Sequence, residues 1–259
     1  MTTVLATESG HYYTRTGEPA YTIIGANGKE RNTTIRDARR LGLVPSVTEI
    51  LKMLPKPALD LWKMKNVLMA SLTIPRRTLE PDEVLITRIF SDAQEQVRKA
   101  AEKGTAIHGA IERTFQKLPI EPEYEPYAMG AMKAVGVFLG RTDYHDFCSA
   151  EKSFAHPFGF GGKVDLHSRE LNFVLDFKTK EFEDPDKIQA WDEHKIQLSA
   201  YRRGLDMPER TRLLNVFIST NTPGLVKIVE HDFNEEQHFF DIFMSLLHTW
   251  KLVKKYETH

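Results

Sequence analysis

One cysteine, Cys148, stands in 259 residues. From this chain alone it builds no disulfide framework, no four-cysteine zinc site and no cysteine-ligated iron–sulfur cluster, and it suits a reducing compartment. Long apolar runs are missing too, because no stretch approaches the ~20 residues that span a bilayer. The opening residues MTTVLATESGHYYTRTGE have neither the apolar core of a signal peptide nor the acid-free, arginine-rich character of a transit peptide. The expectation is a cytoplasmic protein with no membrane partner. A net charge of −1 argues against a histone-like protein that holds nucleic acid by bulk charge. Internal repeats and low-complexity tracts are absent as well.

What is present is an ordinary hydrophobic fraction of 41%, enough to bury a full core in one domain with embellishments. Local charge is uneven. Between residues 29 and 77, Lys29, Arg31, Arg36, Arg39, Arg40, Lys52, Lys56, Lys63, Lys65, Arg76 and Arg77 face only Glu30, Asp37, Glu49 and Asp60. On charge alone, a solvated helical surface and a phosphate-binding patch both account for this.

Along the chain, residues 21–24 and 33–35 flank Asn27-Gly28 and read as a hairpin, since Asn-Gly supplies the positive φ angles of a tight turn. Ser46 is placed to cap a short helix, with Glu49 reaching back in a capping box, and that helix ends before Pro55 and Pro57. A second helix runs through Leu59, Trp62 and Val67, and a third begins after Pro81. From residue 91 to about 117 the apolar residues recur at helical spacing, interrupted at Gly104. The period then changes. Residues 147–154, 161–167 and 171–177 are β-type runs forming an antiparallel meander. A helix over 187–205, strands over 213–218 and 225–229, and a final amphipathic helix capped by Asn234 complete an α/β arrangement, helices covering a mixed sheet.

The strongest chemical signal is Gly161-Gly162-Lys163-Val164-Asp165, followed by Val174-Leu175-Asp176-Phe177-Lys178-Thr179. With Asp165 and Asp176 on neighbouring strands, two carboxylates converge, and strand alternation puts Lys178 on the Asp176 face while Phe177 enters the core. Two carboxylates facing a lysine suit a hard divalent cation and an activated water. An ion pair at a strand end is the plainer account of a D-x-K tripeptide, and Asp165 on its own strand weighs against it. His108 and Glu112, one helical turn apart, are a surface pair or part of the site. Gln197 and Tyr201 repeat that spacing, with a packed tyrosine as the alternative.

In order, G-T-x-x-H-x-x-x-E (104–112), Glu151, G-K-V-D (162–165), D-F-K-T (176–179) and Q-L-S-A-Y (197–201) resemble the RecB-like branch of the PD-(D/E)-x-K nuclease superfamily. The resemblance covers residues 91 to 256. The segment P-S-V-T-E-I-L ahead of the helix bearing Trp62, with the closing helix from 250 to 256, looks most like the mitochondrial genome maintenance exonuclease group and its phage-encoded relatives. Val164 stands where proline gives the superfamily its name, a departure common in this branch. The cysteine cluster of the iron–sulfur members is missing.

The resemblance implies a restriction-endonuclease-like core, a mixed sheet in αβββαβ order over 91–259. It also implies an N-terminal hairpin and helical arch or lid over 1–90 that contacts DNA. Asp165, Asp176, the Phe177 carbonyl and His108 would hold Mg2+ or Mn2+, without an iron–sulfur cluster. Lys178 would orient water, Gln197 and Tyr201 would steady the lysine or a phosphate, and Glu112 and Glu151 would be supporting carboxylates. Ser46, Thr48, Trp62, Lys63, Lys163 and Thr179 are the implied DNA contacts. The implied activity is exonucleolytic hydrolysis of single-stranded or end-frayed DNA, in replication, recombination or repair. The implied setting is bacterial or phage-infected cytoplasm, alongside recombination or replication proteins. A catalytically silent DNA-end-binding protein and a structure- or site-specific endonuclease are the competing readings.

Overall fold

A computed structural model describes residues 11–256. Two small strand pairs and two short helices come first among the described residues. Strand β1 (Tyr12–Tyr13) pairs with β4 (Val44–Pro45), and β2 (Thr22–Ile24) pairs with β3 (Glu30–Asn32) through a turn in which Gly28 has φ +73°. Helix α1 (Ile35–Leu41) starts at Thr34, whose hydroxyl accepts from the Asp37 amide while Asp37 accepts from the Thr34 amide. The second arm of the hairpin is therefore 30–32, because Thr34 and Ile35 are taken by a helix start that competes with the strand. Helix α2 (Val47–Leu51) is capped by Ser46 as expected, but Glu49 pairs with Lys52 and forms no capping box.

Helix α3 (Pro57–Thr73) starts on the second of the two prolines, which takes its first turn. Helix α4 (Asp82–Phe115) is one unbroken 34-residue rod that passes straight through Gly104. Helix α5 (Glu125–Leu139), absent from the sequence reading, buries Tyr127, Ala128, Ala131 and Val135. Its small residues and central glycines lack the strong amphipathic contrast that marks a helix in sequence.

The main sheet has five strands: β5 (Ser149–His156), β6 (Phe160–Ser168), β7 (Phe173–Lys180), β8 (Arg212–Ser219) and β9 (Val226–His231). Their order in the sheet is the chain order, antiparallel throughout except for β7 and β8, which run parallel. Helix α6 (Asp192–Gly204) makes the crossover that a parallel pair requires. It begins at Asp192, five residues later than its amphipathic pattern suggests, because Pro185–Lys187 forms a separate 3-10 turn. Helix α7 (Glu236–Val253) follows a 3-10 turn (Phe233–Glu235) that Asp232 caps by accepting from the Asn234 amide (2.9 Å); Asn234 lies inside that turn, and α7 itself starts from Glu235 with no side-chain cap.

Helices cover both faces of this mixed sheet, giving a mixed α/β fold. On one face Ile107, Ile111 and Val135 of α4 and α5 pack on Leu166, Leu175, Phe177 and Val216. On the other, Ile196, Phe243 and Trp250 of α6 and α7 pack on Val164, Val174 and Leu213. Tyr12, Leu43, Val47 and Ile50 join this second core, and the Tyr256 hydroxyl donates to the Leu43 carbonyl (2.7 Å). Residues before 57 and residues after 236 thus share one hydrophobic interior. Helix α3 stands away from it: in its 17 residues Ala70 alone is buried. Among the described residues no helix is long and apolar enough to cross a membrane.

Candidate active site

The ladder between β6 and β7 is short. It runs from Ser168 opposite Phe173 to Leu166 opposite Leu175 and stops there. The next position in that register would set Asp165 against Asp176. Instead the strands part: β6 continues along β5, while β7 continues along β8. The Asp165 carboxylate takes over the role of a strand carbonyl, accepting the Phe177 amide at 2.7 Å. A fork of this kind leaves the side chains at its apex facing a gap between strands.

Asp176 is buried and saturated with donors. Its Oδ1 accepts from Gln197 Nε2 (2.9 Å), and its Oδ2 accepts from Asn215 Nδ2 (3.1 Å) and meets Lys178 Nζ at 2.8 Å. Gln197 also donates to the Tyr201 hydroxyl (2.9 Å), and its carbonyl oxygen accepts from Lys178 (2.9 Å). Alternation along β7 delivers this: Asp176 and Lys178 face α6, and Phe177 enters the core beneath α4. Gly162 completes the fit, because a Cβ there would come within 3.0 Å of the Tyr201 ring.

From α4, His108 Nδ1 lies 3.7 Å from Asp165 Oδ2, and the His108 ring meets Phe177 edge-on. Glu112, one turn along, lines the same cleft and accepts from Gln116 (2.9 Å). On β5, Glu151 has a left-handed φ of +54°. The β5–β6 register passes over it, between Ala150 opposite Leu166 and Lys152 opposite Val164, which puts it across from Asp165. Non-glycine residues are held in that conformation at a cost. Glu151 pairs with Lys163.

Electrostatics follow from burial. Desolvation, then the neighbouring Asp176 charge, pushes the Asp165 carboxyl well above the ordinary carboxylate range. Desolvation lowers His108 and raises Glu151. Lys178 is held above its usual value: burial pulls it down, and Asp176 more than restores it. The acidic groups Glu112, Glu151, Asp165 and Asp176 outnumber Lys163 and Lys178, so an added cation relieves the repulsion. Hard oxygen donors with one imidazole suit a divalent ion of the magnesium or manganese class. Among the described residues, however, no three His, Cys, Asp or Glu side chains are gathered closely enough to hold a metal. His108 and Asp165 stand side by side, while Asp176 is turned onto Lys178.

These groups open into a cleft of about 1200 Å3 walled by α3, α4 and the C-terminal ends of β7 and β8. Trp62 of α3 and Thr179 of β7 line it, as does Lys163. Lys63 is exposed on α3 and does not line it. Ser46 is buried, and its hydroxyl accepts from the Glu49 amide in the α2 cap and is bonded to Thr48 (3.0 Å). Ser46, Thr48 and Lys163 border a smaller pocket of about 190 Å3 beside the cleft.

The sequence reading passed over Trp191, His194 and Asn215. Trp191 is half exposed at the start of α6 and lines the cleft. His194 Nδ1 accepts the Trp191 amide (3.2 Å), and burial lowers His194 to about 4. Its neighbour Glu193 pairs with Lys56 (2.8 Å), tying the start of α6 to the start of α3. Asn215 had a signal, a lone amide in an apolar strand; Trp191 had none.

Neither a family model nor a curated protein matches the chain. Among solved structures, SSO0001 is similar at 12% identity and a TM-score of 0.28, over 73% of this chain and 86% of that one. A likeness so slight informs neither fold nor activity.

Proposed function

We propose that this chain is a Mg2+- or Mn2+-dependent nuclease that hydrolyses phosphodiester bonds in DNA, acting as an exonuclease on single strands or frayed ends. On this reading its core is the restriction-endonuclease-like fold of the RecB-like branch, with α5 added to the αβββαβ order. The observation that carries the reading is the β6–β7 fork, which sets the half-buried Asp165 and Lys178 on the floor of the cleft with the buried Asp176 directly behind them, bonded to Lys178.

Asp165 and His108 would hold the cation, and Asp176 would join them as Lys178 leaves its carboxylate. The Phe177 carbonyl completes the set on the strength of the family resemblance. When bound, such an ion lowers the pKa of water and polarises a phosphoryl oxygen. The protein's own groups do the rest. Lys178, released from Asp176 but still tethered to Gln197, places its ammonium beside the phosphate, where negative charge grows in the transition state. Gln197 and Tyr201 hold that ammonium in line. Glu151 and Glu112 keep the floor of the cleft acidic, and Lys163 offsets Glu151. Trp62 of α3 offers a face on which unpaired bases stack without sequence preference, which favours single strands over duplex. DNA ends are then the partner, in replication, recombination or repair in a reducing cytoplasm.

The test is a linear single strand labelled at either end against a closed circle, each with Mg2+ or Mn2+. Release of mononucleotides or short oligomers from the linear strand alone is expected. Cutting of the circle replaces the exonuclease with an endonuclease, and tight binding without any cutting overturns the hydrolytic reading.

A further inference from the structure

Strand β8 is apolar along its centre, Leu213-Leu214 and Val216-Phe217-Ile218, except for Asn215 between them. Asn215 has no exposed surface and stands directly opposite Asp176 in the parallel β7–β8 register. A buried amide in a central strand costs free energy unless its groups are bonded. Here they are bonded in both directions. Nδ2 donates to Asp176 Oδ2 (3.1 Å), and Oδ1 lies 2.7 Å from Nε2 of His231 at the end of β9. An ionised carboxylate only accepts, so the amide turns its nitrogen to Asp176 and its oxygen to His231. That fixes Nε2 as the protonated nitrogen of the histidine ring. Burial, helped by Lys195, lowers His231 to about 4, which keeps the ring neutral near pH 7.

The other oxygen of Asp176 is held by Gln197 from α6. Its two oxygens therefore take amide donors from two different elements, and only one of those donors, Gln197, also serves Lys178. Apolar residues at 215 and 231 would fill a strand position of this kind without polar cost, so the polar pair has its reason in the carboxylate it touches.

The geometry points to Asn215 and His231 as positioning residues for Asp176, a buried relay from β9 through β8 that holds the carboxylate's orientation when a cation takes the place of Lys178. This rests on the reading of Asp176 as a cation ligand. Partners of this kind, behind a ligand, set metal affinity or activity by roughly 10- to 100-fold.

The experiment is Mn2+ binding by calorimetry to the full chain without DNA, with 15N NMR of the histidine rings and thermal melts of the same samples. Asn215→Leu and His231→Leu each weaken Mn2+ binding by about 10-fold or more, and His231→Gln, which keeps a side-chain N–H donor, stays near wild type. The wild-type His231 ring gives the Nε2-protonated pattern. Leucine variants that bind Mn2+ as wild type does, or that only melt earlier, overturn the relay, as does a ring protonated on Nδ1. A wild-type chain that binds no Mn2+ at all contradicts the nuclease reading itself, and the relay's purpose falls with it.

Discussion

Gly104 of α4 presses against Thr179 of β7 so closely that a Cβ on the glycine would lie 2.7 Å from the threonine Oγ1. That approach is what brings His108, one turn further along α4, over the β6–β7 fork.

Gly104→Ala therefore has two opposed effects. Alanine gains about 1 kcal/mol of helix propensity, and the clash costs about 1–3 kcal/mol until Thr179 shifts. The expected result is a net loss near 1 kcal/mol by urea unfolding, with cleavage reduced further because α4 is displaced. Adding Thr179→Ala should restore the stability, since it removes the atom that the new methyl meets.

At the fork, Asp165→Asn and Asp176→Asn should each slow cleavage by about 100-fold or more, the scale for removing one group that acts on the reacting centre. Stability should move the other way for Asp165. Its carboxylate is partly desolvated and sits beside another carboxylate, so the neutral amide should melt at or above the wild-type temperature in metal-free buffer. A clear drop in melting temperature for Asp165→Asn would show that the carboxylate is structural.

Trp191 and Trp62 line one cleft from α6 and α3. If bases stack there, each tryptophan contributes about 1–3 kcal/mol per base, and Trp191→Ala should weaken binding of a homopolymeric single strand roughly tenfold or more. Quenching of tryptophan fluorescence on titration with the strand, lost in part in each variant, checks this. Duplex binding should change less.

Acid stability depends on Asp37, which accepts from Arg31 (2.6 and 2.9 Å) and caps α1 through Thr34. The Arg31 guanidinium, then the Thr34 hydrogen bonds, holds this carboxyl well below its ordinary 3.8. A carboxyl depressed in the folded chain adds stability that is fully present above its unfolded value and fades as pH falls through the folded one. Asp37→Asn should thus destabilise the protein at pH 7, and the gap from wild type should narrow below about pH 4. Urea midpoints measured from pH 7 down to pH 2 decide it.

Much of the sheet was legible in the sequence because its strands alternate or run apolar between turn residues. The Asp165, Asp176 and Lys178 constellation was legible because charges in apolar strands are conspicuous. Gly104 misled for a local reason: glycine lowers helix propensity, but here it serves contact with Thr179, which lies 75 positions away. Helix α5 was hidden by its alanines and glycines, which pack closely without a clear polar face. Asn234 caps nothing because a 3-10 turn capped by Asp232 takes residues 233–235 ahead of α7, a local choice no propensity resolves. Trp191 becomes a cleft residue only through the packing of α6, and a single tryptophan in sequence carries no such sign.

A division of the chain at residue 90 also meets the shared core of Tyr12, Val47, Trp250 and Tyr256. A fragment of residues 91–259 should therefore fail to unfold cooperatively, because that apolar interior loses Tyr12, Ala38, Leu43, Val47, Ile50 and Leu51. Tyr256→Phe in the full chain should cost about 0.5–1.5 kcal/mol, the worth of its bond to Leu43.

The central claim concerns a bound ion at the fork, and anomalous diffraction from a crystal soaked in Mn2+ tests it most directly. The account predicts one or more manganese peaks liganded by Asp165 and Asp176 with His108 alongside, and Lys178 swung off Asp176 yet still within reach of Gln197. A soaked crystal with no manganese at the fork, and Lys178 still seated on Asp176, would contradict it.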